Sequence, residues 1–281
     1  MRVIMSLKIK DAFPEIVSRK LPRLQPSATT RDSISLLKSS KLNAVCIEPQ
    51  AEHTREESRR RPLAVSKYSI LTTLSNTQPS HFEQFMDSSC TESALLIGSA
   101  SENDDIVSLL HVFESSTLGY SAIENSLHKM MSMISILDVL ELYEKRIFTS
   151  DLFVADVATT PIFGLPPETS LRKALNAMVT RKFRRILIEG TKKIVSDSDF
   201  MDFLFEVEPK AKFLSSRLLD SNLADLHGRE PPAIRPTEPI ATAAKIASTA
   251  HQNCLLTDSS IITPWDIVLK PWRLGRLHIA D

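Results

Sequence analysis

Glycine is scarce in this chain, at 6 of 281 residues. A P-loop and a GxGxxG dinucleotide turn both need closely spaced glycines, and neither motif occurs. Cysteine is scarcer still. Cys46, Cys90 and Cys254 lie far apart and are odd in number, which supports neither a disulfide framework nor a zinc knuckle and fits a reducing compartment. The seven histidines show no His-x-x-x-His or His-Glu-x-x-His spacing, so a zinc hydrolase is unsupported, and no nucleophile elbow or carboxylate pair stands out. Net charge is absent as well. Lys plus Arg (34) balance Asp plus Glu (34), which argues against a dedicated nucleic-acid binder. No stretch reaches the roughly 18 apolar residues of a membrane helix, and the opening "MRVIMSLKIKDAF" holds no apolar run of signal-peptide length. These absences lead to the expectation of a cytoplasmic protein that is not an enzyme, inserts into no membrane and has no metal site.

What is present is length and repetition. The 281 residues suffice for two ordinary domains, and 42% of them are hydrophobic, enough to fill cores of that size. Four stretches share one pattern: "AVSKYSIL" (64–71), "MISILDVL" (133–140), "IVSDSDFM" (194–201) and "IITPWDIV" (261–268). Each runs from an apolar pair to Ser or Thr, two variable positions, Asp (Ser in the first), and an apolar pair. The hydroxyl residues Ser66, Ser135, Ser196 and Thr263 are separated by 69, 61 and 67 residues, a near-regular period. Upstream, "EIVSRKLPRLQPSATT" (15–30), "DVATTPIFGLPPETSL" (156–171) and "DLHGREPPAIRPTEPI" (225–240) align without a gap. Each reads as an entry segment, a short strand, and a proline-bearing polar turn that opens a helix. In the third copy, Thr169 or Ser170 can cap a helix that starts near Leu171 and carries Leu171, Ala174, Leu175 and Met178 on one stripe. "FRRILI" (183–188) then reads as a buried strand, "KKIVS" (192–196) as its hairpin partner and "SDFMDFLFEV" as a second helix. The expected fold is α/β (α+β), built from four β-α-β-β-α repeats.

That order of elements, with the polar turn upstream and the apolar-apolar-Ser/Thr-x-x-Asp joint downstream, resembles the CBS domain, named for cystathionine β-synthase. The likeness follows the family pattern most closely in the third copy, "DVATTPIFGLPPETSLRKALNAMV". It is good in the fourth, fair in the first, and weak in the second, whose front half is "LLIGSASENDDIVSLL" (95–110). CBS domains pair in tandem as Bateman modules. The resemblance therefore implies two pseudo-symmetric modules, 1–147 (repeats about 8–74 and 85–147) and 148–281 (repeats about 153–206 and 221–273). The third and fourth copies are expected to share a core. In the family the cleft between paired copies holds adenosine ligands such as AMP, ADP, ATP or S-adenosylmethionine. The function this implies is non-enzymatic regulation, in which ligand occupancy is passed to an unidentified partner protein; a homodimer through the modules is a further expectation. No cofactor is required.

The joint has the chemistry for such a ligand. Unpaired backbone N–H groups and the helix dipole at a helix start favour phosphate oxygens. An aspartate one turn in offers oxygens that can accept from both hydroxyls of a ribose. By resemblance, the ligand residues are Thr159, Thr160, Ile162 and Phe163, which line the base, and Arg184 and Arg185, whose forks suit phosphate. Ser196 with Asp199, Thr263 with Asp266, and Ser135 with Asp138 complete the joints, and Ala233 and Ile234 serve the fourth copy. In the fourth copy, His251 and Asn253 stand where the third has Arg, favouring a monophosphate, a nucleoside or a neutral adenosyl group. Ser69 replaces the acid in the first copy, so that site is expected to be empty. The competing reading is local: Ser/Thr-x-x-Asp is also close to a capping box that satisfies the helix's own backbone. It would leave a scaffold or interaction protein with empty clefts.

The remaining features read as structural. "EHTREESRRR" (52–61), with Arg59, Arg60 and Arg61, is expected to be a solvated hairpin, and "TTLSNTQPSHFEQ" (72–84) a linker. Met130, Met131 and Met133 are expected to fill core space, Trp265 to stack on a ligand or pack at a domain edge, and the tail "KPWRLGRLHIAD" to act as an interface strap.

Overall fold

The structure, a computed structural model, describes residues 7–19, 21–40, 42–48, 62–116, 118–127, 129–207, 218–250 and 254–280. The charged stretch 52–61, with its three arginines, and His251 and Asn253 lie outside the described residues.

Along the chain, α1 (Ile9–Ala12) and α2 (Pro14–Ser18) precede the first repeat. That repeat is β1 (Arg23–Leu24), α3 (Thr30–Ser39), β2 (Ala44–Ile47), β3 (Leu63–Ser66) and α4 (Lys67–Ser75). After α5 (Phe82–Asp87) and β4 (Leu95–Leu96), the second repeat is β5 (Gly98–Ser101), α6 (Ile106–Ser115), β6 (Tyr120–Glu124), β7 (Met130–Ser135), α7 (Ile136–Val139) and α8 (Glu141–Glu144). Following β8 (Phe148–Thr149) and α9 (Val154–Val157), the third repeat is β9 (Gly164–Leu165), α10 (Leu171–Arg181), β10 (Arg185–Ile188), β11 (Ile194–Ser196) and α11 (Asp197–Val207). The fourth is α12 (Ile240–Thr249), β12 (Leu255–Leu256), β13 (Ile261–Ile262) and α13 (Pro264–Arg273), with β14 (His278–Ile279) closing the chain. In place of a leading strand, the fourth repeat has Ala233 bridged in parallel to Leu256. The chain is thus a mixed α/β protein of four small repeats.

The helix α10 shows why these residues fold as they do. Ser170 accepts from the Lys173 N–H at the start, and Leu171, Ala174, Leu175 and Met178 are buried along one stripe. The helix ends at Lys182, which takes a left-handed conformation at φ 57°. Strands β10 and β11 pair in antiparallel with Arg185 opposite Ser196, so the hairpin delivers Ser196 to the start of α11.

The described residues form two compact units. Unit 2 comprises Pro22–Leu96 and Phe163–Glu230, the bodies of the first and third repeats. Its buried cluster draws on both, including Ile34, Leu71, Leu74, Leu175, Met178 and Phe200. Unit 1 comprises Met1–Leu21, Ile97–Ile162 and Pro231–Asp281, the second and fourth repeats with the chain's opening helices. Its cluster includes Phe13, Phe113, Ile134, Leu142, Ala247 and Ile267. The buried clusters therefore join third with first and fourth with second, whereas the sequence pointed to a core shared by third and fourth. Periodicity within a helix shows that a face is buried but not which copy buries it.

Leading segments are exchanged between repeats. Strand β4, from the front of the second repeat, pairs with β3 of the first. Thr159, from the front of the third, bridges Ile261 of the fourth, and Arg229, from the front of the fourth, bridges Ile194 of the third.

Three local expectations change. Residues 72–84 are not a linker: they hold the end of α4, a 3-10 turn at Pro79–His81 and the start of α5. Phe82, Phe85 and Met86 of α5 are buried in the unit 2 core. The C-terminal tail straps unit 1 itself, since β14 pairs with β8. Of the three methionines, Met133 is buried but Met131 is 41% exposed.

Candidate functional site

All four joints fold alike. The backbone N–H of the hydroxyl residue donates to the side chain three positions on: Ser66 to Ser69 Oγ at 2.8 Å, Ser135 to Asp138 Oδ2 at 2.7 Å, Ser196 to Asp199 Oδ2 at 2.7 Å, and Thr263 to Asp266 Oδ2 at 2.8 Å. The hydroxyls of Ser135, Ser196 and Thr263 donate to the same oxygens at 2.6, 2.6 and 2.7 Å. This is the reciprocal cap that local physics favours at a helix start. Ser69 takes over the acid's part in the first repeat, so losing the carboxylate there costs the helix no cap.

The joints differ in the other carboxylate oxygen. Among the described residues, Asp199 Oδ1 has no hydrogen-bond partner. Burial, more than anything else, pushes the Asp199 pKa up; its hydrogen bonds from Ser196 pull it down, repulsion from Asp202 raises it, and Arg229 lowers it. At the fourth joint, Asp266 Oδ1 accepts from the Thr159 hydroxyl at 2.9 Å and pairs with Lys270 Nζ at 2.8 Å. Lys270 also donates to Thr159 Oγ1 at 3.1 Å and to the Val157 carbonyl at 2.5 Å.

Strand exchange sets this arrangement. Thr159 and Ile261 exchange both backbone hydrogen bonds, at 2.8 and 3.1 Å, which brings the Thr159 side chain onto α13. Thr160 stands 2.5 Å from Ser260 through their hydroxyls. Both threonines lie in the third copy by sequence, and their side chains meet Asp266 and Ser260 of the fourth. Ile162 is half-buried at the end of the same segment. Ile234 is buried in the unit 1 core beside Leu256, and Ala233 next to it is exposed.

Phe163 remains with the third repeat in unit 2, where its ring lies 5.5 Å from Phe183 and the Arg181 guanidinium sits 4.7 Å over it. Arg184 reaches Asp197 Oδ2 with Nε at 2.8 Å and Nη2 at 2.5 Å. Arg185 is half-buried in β10, opposite Ser196. Lys67 of the first joint donates to Ser198 of the third at 3.1 Å, so these two joints of unit 2 meet.

Sequence reasoning missed Lys270, Asp197, Ser198 and Ser260. Asp266 and Lys270 stand four apart on one helix face, the acid first, a readable ion-pair signal. The Thr159 partnership crosses 107 residues and left no such trace. The three cysteines are buried, and burial pushes the Cys46 thiol up to about 12, which leaves it no thiolate chemistry near neutral pH. Among the described residues, no group of His, Cys, Asp and Glu could hold a metal ion, and no helix is long and apolar enough to cross a membrane.

Residues 154–206 match the family model of the CBS domain. The third repeat is therefore a CBS domain. The matched stretch is the third repeat, with the exchanged segment at its front. Protein MJ1225 from Methanocaldococcus jannaschii, proposed as an archaeal homologue of γ-AMPK, superposes with a TM-score of 0.76 at 17% identity, covering 90% of this chain and 96% of its own. An uncharacterised conserved protein from Pyrococcus horikoshii superposes with a TM-score of 0.51 at 13% identity, covering 91% and 97%. Both likenesses establish the fold over nearly the full length of this chain. No curated protein matches it.

Proposed function

We propose that this CBS-domain protein is a non-enzymatic regulator that binds an adenosine-containing ligand (AMP, ADP, ATP or S-adenosylmethionine) at the Ser196–Asp199 joint and passes the occupancy to a partner protein. The observation that carries the reading is the unclaimed Asp199 Oδ1 at the head of α11. A ribose needs two acceptors close together, and Asp199 has one oxygen to spare after capping its helix. The N–H groups and dipole of α11 favour an anion beside it, with Arg185 at the start of β10 and Arg184 just before it. Arg184 would have to turn from Asp197 to meet a phosphate.

Signalling would work by population shift, since a ligand moves an equilibrium only through its differential affinity for the states. The two modules 1–147 and 148–281 belong to this proposal. The exchanged segments support them, because each is covalently part of the neighbouring repeat in sequence. A homodimer through the modules belongs to it too.

A second reading, a scaffold with silent joints, draws on the caps: every joint satisfies its own helix start without a ligand. Calorimetric titration of the full chain with the four ligands, together with its melting temperature in their presence, separates the two. The regulator reading expects heat from at least one ligand and a raised melting point. No heat and no shift with any of them at millimolar concentration leaves the scaffold.

A further inference from the structure

We propose that the fourth repeat holds a latent ligand joint kept shut by its own Lys270. The proposal rests on the reading of these joints as ribose-diol sites. A carboxylate offers about four lone-pair positions. At Asp266, Oδ2 receives the Thr263 N–H and hydroxyl, and Oδ1 receives the Thr159 hydroxyl and Lys270 Nζ. The acceptor set is full, and the Lys270 ammonium stands where a diol hydroxyl would donate. At Asp199 the same count leaves Oδ1 open.

The lysine is particular to this repeat. Four positions after the cap partner stand Thr73, Leu142 and Phe203 in the other repeats, none of which carries a charge. The three acceptors Asp266, Thr159 and Val157 match the three donors of an ammonium group. The seal is reversible by its exposure. The Lys270 side chain is 36% exposed and can swing into water, whereas the Asp266 side chain is 8% exposed and stays in place. Opening the latch would free the Val157 carbonyl and Thr159 Oγ1 of the lysine, while Thr159 keeps its own bond to Asp266. The ligand class is a nucleoside or nucleotide with a free cis-diol.

The test is calorimetric stoichiometry on the full chain, with adenosine and AMP as probes. Lys270→Met should bind one more equivalent than wild type, and adding Asp266→Asn should remove the extra site. If Lys270→Met does not fold, Lys270→Gln, which keeps a donor but no charge, takes its place. Equal stoichiometry in wild type and the lysine variant overturns the latch. So does wild-type binding that Asp266→Asn abolishes and Lys270→Met leaves unchanged, although that result would leave the adenosine reading standing. Binding by the lysine variant alone supports the latch and removes the third-joint reading.

Discussion

The third and fourth joints were built from one pattern and have come to differ in a single oxygen. Both start a helix with a hydroxyl and an aspartate, and both close the same cap. At the third, the remaining oxygen has no hydrogen-bond partner among the described residues, and burial raises the carboxyl's pKa. At the fourth, a lysine one turn on and a threonine from an exchanged segment have filled it. The cap takes one oxygen of each aspartate, and on the proposed reading what becomes of the second decides whether a joint can serve a ligand.

The comparison is broken most severely by Asp266→Asn. Removing one partner of a buried ion pair costs about 3–5 kcal/mol, and the partial exposure of Lys270 should bring this to ~2 kcal/mol. Denaturant titration of the variant checks the figure, and a loss under ~0.5 kcal/mol would mean the latch stores little energy. Lys270→Met should cost somewhat less, about 1–2 kcal/mol, because it leaves a buried carboxylate oxygen short of one donor while Thr159 still serves it. The same titration, run beside the first, should give that order.

Asp199→Asn in the absence of ligand should have the smallest effect. The Asp199 pKa is raised in the folded state, so its contribution is fully present below the unfolded value and is lost as pH rises through the folded one. Wild type should accordingly lose stability relative to Asp199→Asn between acid and neutral pH. Melting curves for both proteins across that range test the sign; a difference running the other way would show that Asp199 is stabilised as a carboxylate.

Much of this was legible in the residues. The stripe Leu171, Ala174, Leu175 and Met178 announced its helix, and the spacing of the four hydroxyls announced the repeat, because both are periodic signals within short windows. Helix α5 carries a helical signal too, as Phe82, Phe85 and Met86 fall at i, i+3 and i+4, but it follows a polar stretch that reads as a linker. The exchanged segments were not readable. A two-residue strand or a single bridge such as Thr159 to Ile261 carries no periodicity, and its partner lies about a hundred residues away. For that reason the sequence places Thr159 and Thr160 with the third copy, while the structure bonds them to Asp266 and Ser260 of the fourth.

One titration distinguishes the open joint from the closed one most directly. Asp199→Asn and Asp266→Asn are compared with wild type for affinity toward whichever of AMP, ADP, ATP or S-adenosylmethionine binds best. Asn at 199 turns an acceptor into a donor that cannot pair with a ribose hydroxyl, and a hydrogen bond to a charged group is worth about 1.5–3 kcal/mol, so affinity should fall roughly tenfold to a hundredfold. Asp266→Asn should leave affinity within about twofold of wild type, since its joint is already occupied by Lys270. A large loss in Asp266→Asn with none in Asp199→Asn would contradict the assignment of the open and closed joints.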